Sequence, residues 1–267
     1  MAKLYIVGTP IGNLKDITLR ALETLKSVEI IACEDTRHSL GLLNHYDIKA
    51  KLVAYHKFNE KECTDKLISF ILEGKDVALI TDAGMPAISD PGAVVVKACR
   101  ERGVEVEVVP GPTAFASAVA MSGVICDGFT FLGFLPDKKK LKVSILSKYA
   151  NSEVPVIFYV APHDLTKTAS DIEEIFGDRK VYVCREITKL HESVTITSLK
   201  DFEAEERGEI VMIVEGKPQT NTLLDLSIEE HIRHYLDEGC DKKEVVKKVA
   251  SERNLPKNEV YQIALDM

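Results

Sequence analysis

The chain has 267 residues, 45% of them hydrophobic and 28% charged, with a formal net charge of −8. That length favours two domains, each with its own core, and the acidic balance excludes a protein that coats nucleic acid nonspecifically, so any RNA contact must come from local basic patches. No apolar run reaches the roughly 18 residues of a membrane span, and the apolar part of MAKLYIVGTP is too short for a signal peptide, so a cytoplasmic protein without membrane contact is expected.

Runs rich in Val and Ile at 4–7, 29–33, 52–54, 77–81 and 104–109 read as strands, and apolar residues at helical spacing mark 16–26, 36–45, 59–73 and 91–102. Such alternation predicts a mostly parallel sheet with helices on both faces, a first α/β domain over 1–112. A second α/β domain, 113–217, opens with a helix over 113–121. It continues with strands at 129–134, 154–160, 180–186, 193–199 and 209–216 and helices at 138–149 and 164–176. Its last three strands have no helix between them, so a mixed sheet with antiparallel pairs is expected. After the polar stretch EGKPQTNT, residues 226–267 read as a helical tail of three helices. Ser227 and Asp241 each stand three residues before a glutamate, Gly239 ends the first helix, and Asn254 and Pro256 separate the second from the third.

In an open α/β sheet, ligands collect beyond the carboxyl ends of the strands. Four turns of the first domain lie there: GTPIGN (8–13), EDTR (34–37), TDAGMPAISDPG (81–92) and PGPTA (110–114). Gly8 and Gly12 stand four apart with Pro10 between them, which is neither the dinucleotide nor the P-loop spacing. Proline supplies no N–H, so this turn is rich in carbonyls and unsuited to phosphate. EDTR sets two carboxylates and a guanidinium at a strand end, either as a helix start capped by Asp35 or Thr36 or as a ligand site. Asp82 follows a buried strand directly and is assigned to the site with Gly84, which permits close backbone approach; Asp90 before Pro91 reads as an N-cap and is assigned to structure. The six cysteines (Cys33, Cys63, Cys99, Cys126, Cys184, Cys240) form no C-x-x-C pair and have no histidine at zinc-finger spacing, so reduced thiols and no metal are expected.

Together the motifs LYIVGTPIGNLKDIT, CEDTR, DAGMPAISDPG, VPGPTA, FLGFLP, REITKLHE and GEIVMIVEG, spread over 4–216, resemble the tetrapyrrole methylase family. The resemblance implies two α/β domains of the class III methyltransferase type with S-adenosylmethionine in the cleft between them, followed by the helical tail. It implies that Thr9, Pro10, Gly12, Asp82, Ala83, Gly84, Pro110, Gly111, Pro112 and Tyr159 contact the donor, whose cationic sulfonium suits carbonyls and a carboxylate. It also implies methyl transfer to a cytidine ribose 2′-hydroxyl of 16S ribosomal RNA, within the small ribosomal subunit, by a homodimer. Two other readings stay open: a tetrapyrrole or precorrin acceptor, and donor binding without catalysis. The basic tail favours RNA over a macrocycle.

A hydroxyl is a weak nucleophile and needs a base. Glu34, Asp35, Asp82, Glu186 and Lys189 lie in the matched motifs, with the Glu34 and Asp35 carboxylates the first candidates, whereas Glu186 and Lys189 serve either in catalysis or as a structural ion pair. RNA contacts are expected from Arg37, from Lys138, Lys139 and Lys140, and from Lys243 and Lys247, one helical turn apart. Two departures stand out. FYVAPHD at 158–164 replaces the usual F-Y-E-S-P-H-R, leaving Val160 and Asp164 where an acidic and a basic residue are expected. Asp137 replaces a basic residue after GFLP, and KKKLK at 138–142 is expected to restore the positive charge.

Overall fold

The computed structural model describes residues 2–218, 222–224 and 226–267. The chain forms two compact units, Met1–Lys217 and Pro218–Met267. No helix among the described residues is long and apolar enough to cross a membrane.

The first unit opens with five parallel strands, β1 (Leu4–Val7), β2 (Ile30–Cys33), β3 (Lys51–Ala54), β4 (Val77–Leu79) and β5 (Val106–Val109), in the order β3-β2-β4-β1-β5. Helices α1 (Leu19–Ser27), α2 (Thr36–His45), α3 (Glu60–Leu72) and α4 (Ala93–Glu101) alternate with them. Central strands of such a sheet are covered on both faces, which is why IIAC and VAL carry no polar residue. Side chains alternate across the pleat: Leu4, Ile6, Ile30 and Ala32 join one core with α3 and α4, while Val7, Ile31 and Cys33 join another with α1 and α2. Strand order reverses between β1 and β4, so the turns after these two strands meet at the switch point where ligands of open sheets sit.

One expected helix is broken. Residues Leu14–Asp16 form a single 3₁₀ turn and Ile17 is extended (φ −64°, ψ 137°). Thr18 then caps α1, its hydroxyl accepting the Ala21 N–H at 3.1 Å.

A second sheet follows in the same unit, with β6 (Thr130–Phe134), β7 (Val156–Val160), β8 (Lys180–Arg185), β9 (Ser193–Ser198) and β10 (Ile210–Val214) in the order β6-β7-β10-β8-β9. Only β6 and β7 pair in parallel; β10 is antiparallel to both neighbours and β8 to β9, which is the mixed sheet expected from the helix-free run. Helices α5 (Ala114–Ser122), α6 (Lys139–Tyr149) and α7 (Leu165–Phe176) complete the layer. Because β10 runs against β7, with Ile210 opposite Val160, the carboxyl end of one lies beside the amino end of the other. Within KKKLK the charge is restored only in part: Lys138, Lys139 and Lys140 are exposed, but Lys142 is buried and its Nζ lies 2.7 Å from Asp171 Oδ2.

The second unit packs α8 (Ile228–Asp237), α9 (Lys242–Glu252) and α10 (Lys257–Leu265) around Ile232, Val245, Val249 and Val260. Ser227 and Glu230 form a reciprocal capping box, and Asp241 caps α9. Under these helices His231 is fully buried: Arg253 Nε donates to its Nδ1 at 2.9 Å, so the proton sits on Nε2 and donates to Glu252 Oε2 at 2.9 Å. The Tyr235 hydroxyl donates to the same carboxylate. Burial, then the Arg253 charge, holds His231 below the ordinary histidine value. The unfolded tail takes up this proton near pH 6.5 and the folded tail does not, so tail stability falls as pH drops below about 6.5. Replacing His231 by alanine is expected to cost the tail about 2–4 kcal/mol, through a cavity and the loss of the hydrogen bonds that the imidazole makes with Glu252 and Arg253. Hydrogen exchange of α8 and α9 in the full chain measures the loss.

Candidate functional site

The turns after β1 and β4 are fused by backbone hydrogen bonds. Thr9 N donates to Gly84 O at 2.9 Å and Gly84 N to Thr9 O at 3.2 Å, while Thr9 Oγ1 donates to Thr81 O at 3.0 Å. Gly84 holds a φ of +85°, a conformation that favours glycine. The turn after β5 joins them through a glycine contact: a Cβ on Gly8 would lie 2.7 Å from Gly111 Cα and N. Three strand ends thus form one rigid platform.

Two cavities open on this platform. The first, of about 400 Å³, is mainly apolar and lies between the first-sheet turns and the second sheet, with Met85, Ile88, Phe115, Phe134, Tyr159 and Val160 among its walls. The second, of about 520 Å³, is bounded by Thr9, Pro10, Gly12, Arg37, Ser39 and Lys189. Both share Ile11, Thr81, Asp82, Ala83 and Glu209, which therefore form a partition. Thr81 is 3% exposed, and its Oγ1, which makes no hydrogen bond of normal geometry, interacts with the Asp90 carboxylate.

The residues expected to contact one ligand are thus distributed. Asp82, Ala83, Gly84 and Tyr159 line the first cavity; Thr9, Pro10 and Gly12 line the second; Pro110, Gly111 and Pro112 line neither, and Gly111 instead packs against Gly8. Asp35 is the N-cap of α2, with Oδ1 accepting the Arg37 N–H at 2.8 Å and Oδ2 lying 3.0 Å from Arg37 Nη2. Arg37 holds this carboxyl down to about 2, so Asp35 is a poor proton acceptor. Glu34 is half-buried and its carboxyl is raised, first by desolvation and then by Asp82, but it lines neither cavity.

Glu186 and Lys189 do pair: Lys189 Nζ lies 3.0 Å from Glu186 Oε1 and 3.2 Å from Glu209 Oε2. Desolvation pulls the Lys189 ammonium down, but these carboxylates outweigh it and hold it above the ordinary lysine value. The loop that carries them is bent tightly, with φ of 52° at Glu186 and 69° at Thr188, and it closes over Gly12, where a Cβ would meet Lys189 Cγ at 2.7 Å. Lys138, Lys139 and Lys140 sit at the start of α6, outside both cavities, and Lys243 and Lys247 lie exposed on α9 of the tail unit.

The sequence reading misplaced Asp90. Helix α4 begins at Ala93 with Gly92 as its N-cap, and Asp90 instead lines the first cavity. Desolvation, then the Glu34 charge, pushes its carboxyl up to about 6. Its one signal in the sequence was membership of the turn that also carries Asp82. Among the described residues, no group of three or more His, Cys, Asp or Glu side chains could hold a metal ion.

A carboxyl raised in the folded state favours folding below its unfolded value, near 4, and that contribution is lost as pH rises through about 6. Asp90→Asn is therefore expected to stabilise the ligand-free protein at pH 7.5 by on the order of 1–2 kcal/mol, after discounting for partial exposure, and to add little at pH 4. Chemical denaturation at the two pH values checks this.

Residues 3–203 match the family model described as Tetrapyrrole (Corrin/Porphyrin) Methylases. The chain is 43% identical to "Ribosomal RNA small subunit methyltransferase I" of Bacillus subtilis, over 98% of this chain and 93% of that protein. It is 42% identical to the protein of the same name from Halalkalibacterium halodurans, over 97% and 93%. Among solved structures, the methyltransferase CobJ superposes with a TM-score of 0.64 at 17% identity, covering 81% of this chain and 95% of that one. Uroporphyrin-III C-methyl transferase from Thermus thermophilus, complexed with S-adenyl homocysteine, superposes with a TM-score of 0.58 at 18% identity, covering 80% and 97%. These two likenesses concern the fold. With the family model covering the first sheet and most of the second, and relatives above 40% identity along nearly the whole length, the chain belongs to the tetrapyrrole methylase family.

Proposed function

We propose that this protein is an S-adenosylmethionine-dependent methyltransferase acting on a cytidine ribose 2′-hydroxyl in small-subunit (16S) ribosomal RNA. The observation that carries the reading is the pair of cavities meeting at Asp82, in a chain whose relatives at 42–43% identity are named for small-subunit ribosomal RNA methylation. The residues of the first cavity suit the donor: apolar walls for its adenosine, and the Asp82 and Asp90 carboxylates for its positive charge. A fold neighbour complexed with S-adenyl homocysteine supports the same assignment. When bound, the donor supplies an electrophilic methyl group on a sulfonium.

The chain's own residues then have distinct tasks. Asp82, facing both cavities, takes the proton of the attacking hydroxyl. Lys189, fixed by Glu186 and Glu209, keeps a positive charge in the wall of the acceptor cavity, which Arg37 also lines. Glu186 positions Lys189 and does not touch the acceptor. Holding hydroxyl and methyl group in line across the partition supplies the orientation that a dry, rigid cleft provides. Lys138, Lys139 and Lys140, with Lys243 and Lys247 of the tail, give exposed cations for RNA phosphates, and the working form is a homodimer in the cytoplasm acting on the assembled small subunit.

A tetrapyrrole acceptor is the second reading, favoured by the family model's description and by the two fold neighbours above, which are 17% and 18% identical. Incubating the protein with radiolabelled donor and, in parallel, unmodified small subunits, free ribosomal RNA and a porphyrin precursor tests the choice. Label in RNA is expected; label confined to the precursor overturns the reading.

A further inference from the structure

In the mechanism above Asp90 serves only as one of two carboxylates that face the donor's positive charge, and it takes no part in proton transfer. The charged groups that reach it are Glu34 from the end of β2 and Asp82 from the end of β4, both negative; the Thr81 hydroxyl interacts with the carboxylate and lowers it, but by less than burial and the Glu34 charge raise it. Tyr159, on β7, faces it as an uncharged phenol whose ionisation burial and the Asp90 charge both oppose. Among the described residues, the charges that shift it are both negative. A carboxylate in an apolar cavity with only like charges beside it is costly unless a cation arrives. The buried Thr81 hydroxyl on the same wall interacts with the Asp90 carboxylate and favours its ionised form, but burial and the two like charges outweigh it.

We propose that Asp90 is a specificity-determining residue that makes the cavity prefer the cationic methyl donor over its uncharged demethylated product. The inference rests on the assignment of this cavity to the donor. S-adenosylmethionine carries one net positive charge and S-adenosylhomocysteine none, because methyl transfer removes the sulfonium charge and leaves the rest of the molecule unchanged. With the donor in place the ionised carboxylate is compensated; after transfer it again lacks a counter-charge. The neutral product is thereby weakened in its hold on the site. Proton uptake by the carboxylate removes the preference, so discrimination is strongest above the pH at which it ionises.

Isothermal titration of the full chain with S-adenosylmethionine, S-adenosylhomocysteine and sinefungin, which carries an amine in place of the sulfonium, tests the proposal between pH 5 and 7. In the wild-type protein the donor-to-product affinity ratio is expected to rise by on the order of tenfold or more across this range, with sinefungin following the donor. Asp90→Asn is expected to flatten the profile and lower the ratio at pH 7 by a similar factor, while product affinity changes less than about threefold. A wild-type ratio constant with pH, or an Asp90→Asn ratio equal to wild type, overturns the proposal. The wild-type profile decides the matter even if the variant folds poorly. Failure of the wild-type protein to bind any of the three ligands would instead remove the donor assignment itself.

Discussion

Asp82→Asn is expected to lower the single-turnover rate of methyl transfer by roughly 10²- to 10⁴-fold, the range removed when a positioned base is lost. Asparagine matches the shape of aspartate, and its side-chain oxygen can still accept the Asp35 N–H that Asp82 Oδ1 receives at 3.4 Å. The substitution thus removes the charge and the proton acceptor at the wall between the two cavities while keeping the local geometry. Rate measured with saturating donor and RNA, together with donor affinity measured separately, distinguishes the two ways Asp82 could act. A fall in kcat with donor affinity changed only a few-fold identifies the base, whereas loss of donor affinity at unchanged kcat assigns Asp82 to binding alone. Asp35→Asn provides the contrast, because that carboxyl is occupied by the α2 cap and by Arg37, and its replacement is expected to leave the chemical step nearly unaltered.

Gly8→Ala is expected to be the most damaging small substitution in the platform. The added methyl would sit 2.7 Å from Gly111 Cα and N and equally close to Met85 Sδ, and from the other side a Cβ on Gly111 would lie 2.9 Å from Gly8 Cα and C. Backbone cannot rotate away as a side chain can, so relief requires separating the turns after β1 and β5, which hold the partition in place. A cost of about 2–4 kcal/mol is expected, together with loss of methyl transfer at temperatures where the protein remains folded. Gly41→Ala serves as the control. Gly41 lies inside α2 with nothing within 4 Å of its would-be Cβ, and alanine there is expected to be neutral or to add up to about 1 kcal/mol. Denaturant midpoints of the two variants against wild type measure the difference.

The strands were legible because Val- and Ile-rich runs bounded by Pro/Gly turns leave few alternatives, and the mixed second sheet followed from three strands with no helix to carry a parallel crossover. What could not be read locally depends on partners distant in sequence. Ile17 continues the apolar spacing of a helix, so only the capping hydroxyl of Thr18 reveals where α1 starts. Lys142 looked like one more surface cation because Asp171, its partner, is 29 residues away. Spacing showed that Thr9, Pro10, Gly12, Asp82 and Gly84 follow strand ends, but not that the turn after β1 faces one cavity and much of the turn after β4 the other. That division comes from the order β3-β2-β4-β1-β5 and from the bridge between Thr9 and Gly84, neither of which has a local signature. Asp90 was misread for the same reason. Asp-Pro is a common helix start, and here the helix begins two residues after that proline.

The most direct measurement is nucleoside analysis of unmodified small ribosomal subunits after incubation with the protein and S-adenosylmethionine, by nuclease digestion and mass spectrometry. A single 2′-O-methylcytidine, recovered in a nuclease-resistant dinucleotide and strongly reduced with Asp82→Asn, is the expected product. A methyl group on a base, or no methyl group on the RNA while a porphyrin precursor accepts one, would contradict a ribose hydroxyl held across the Asp82 partition from the donor.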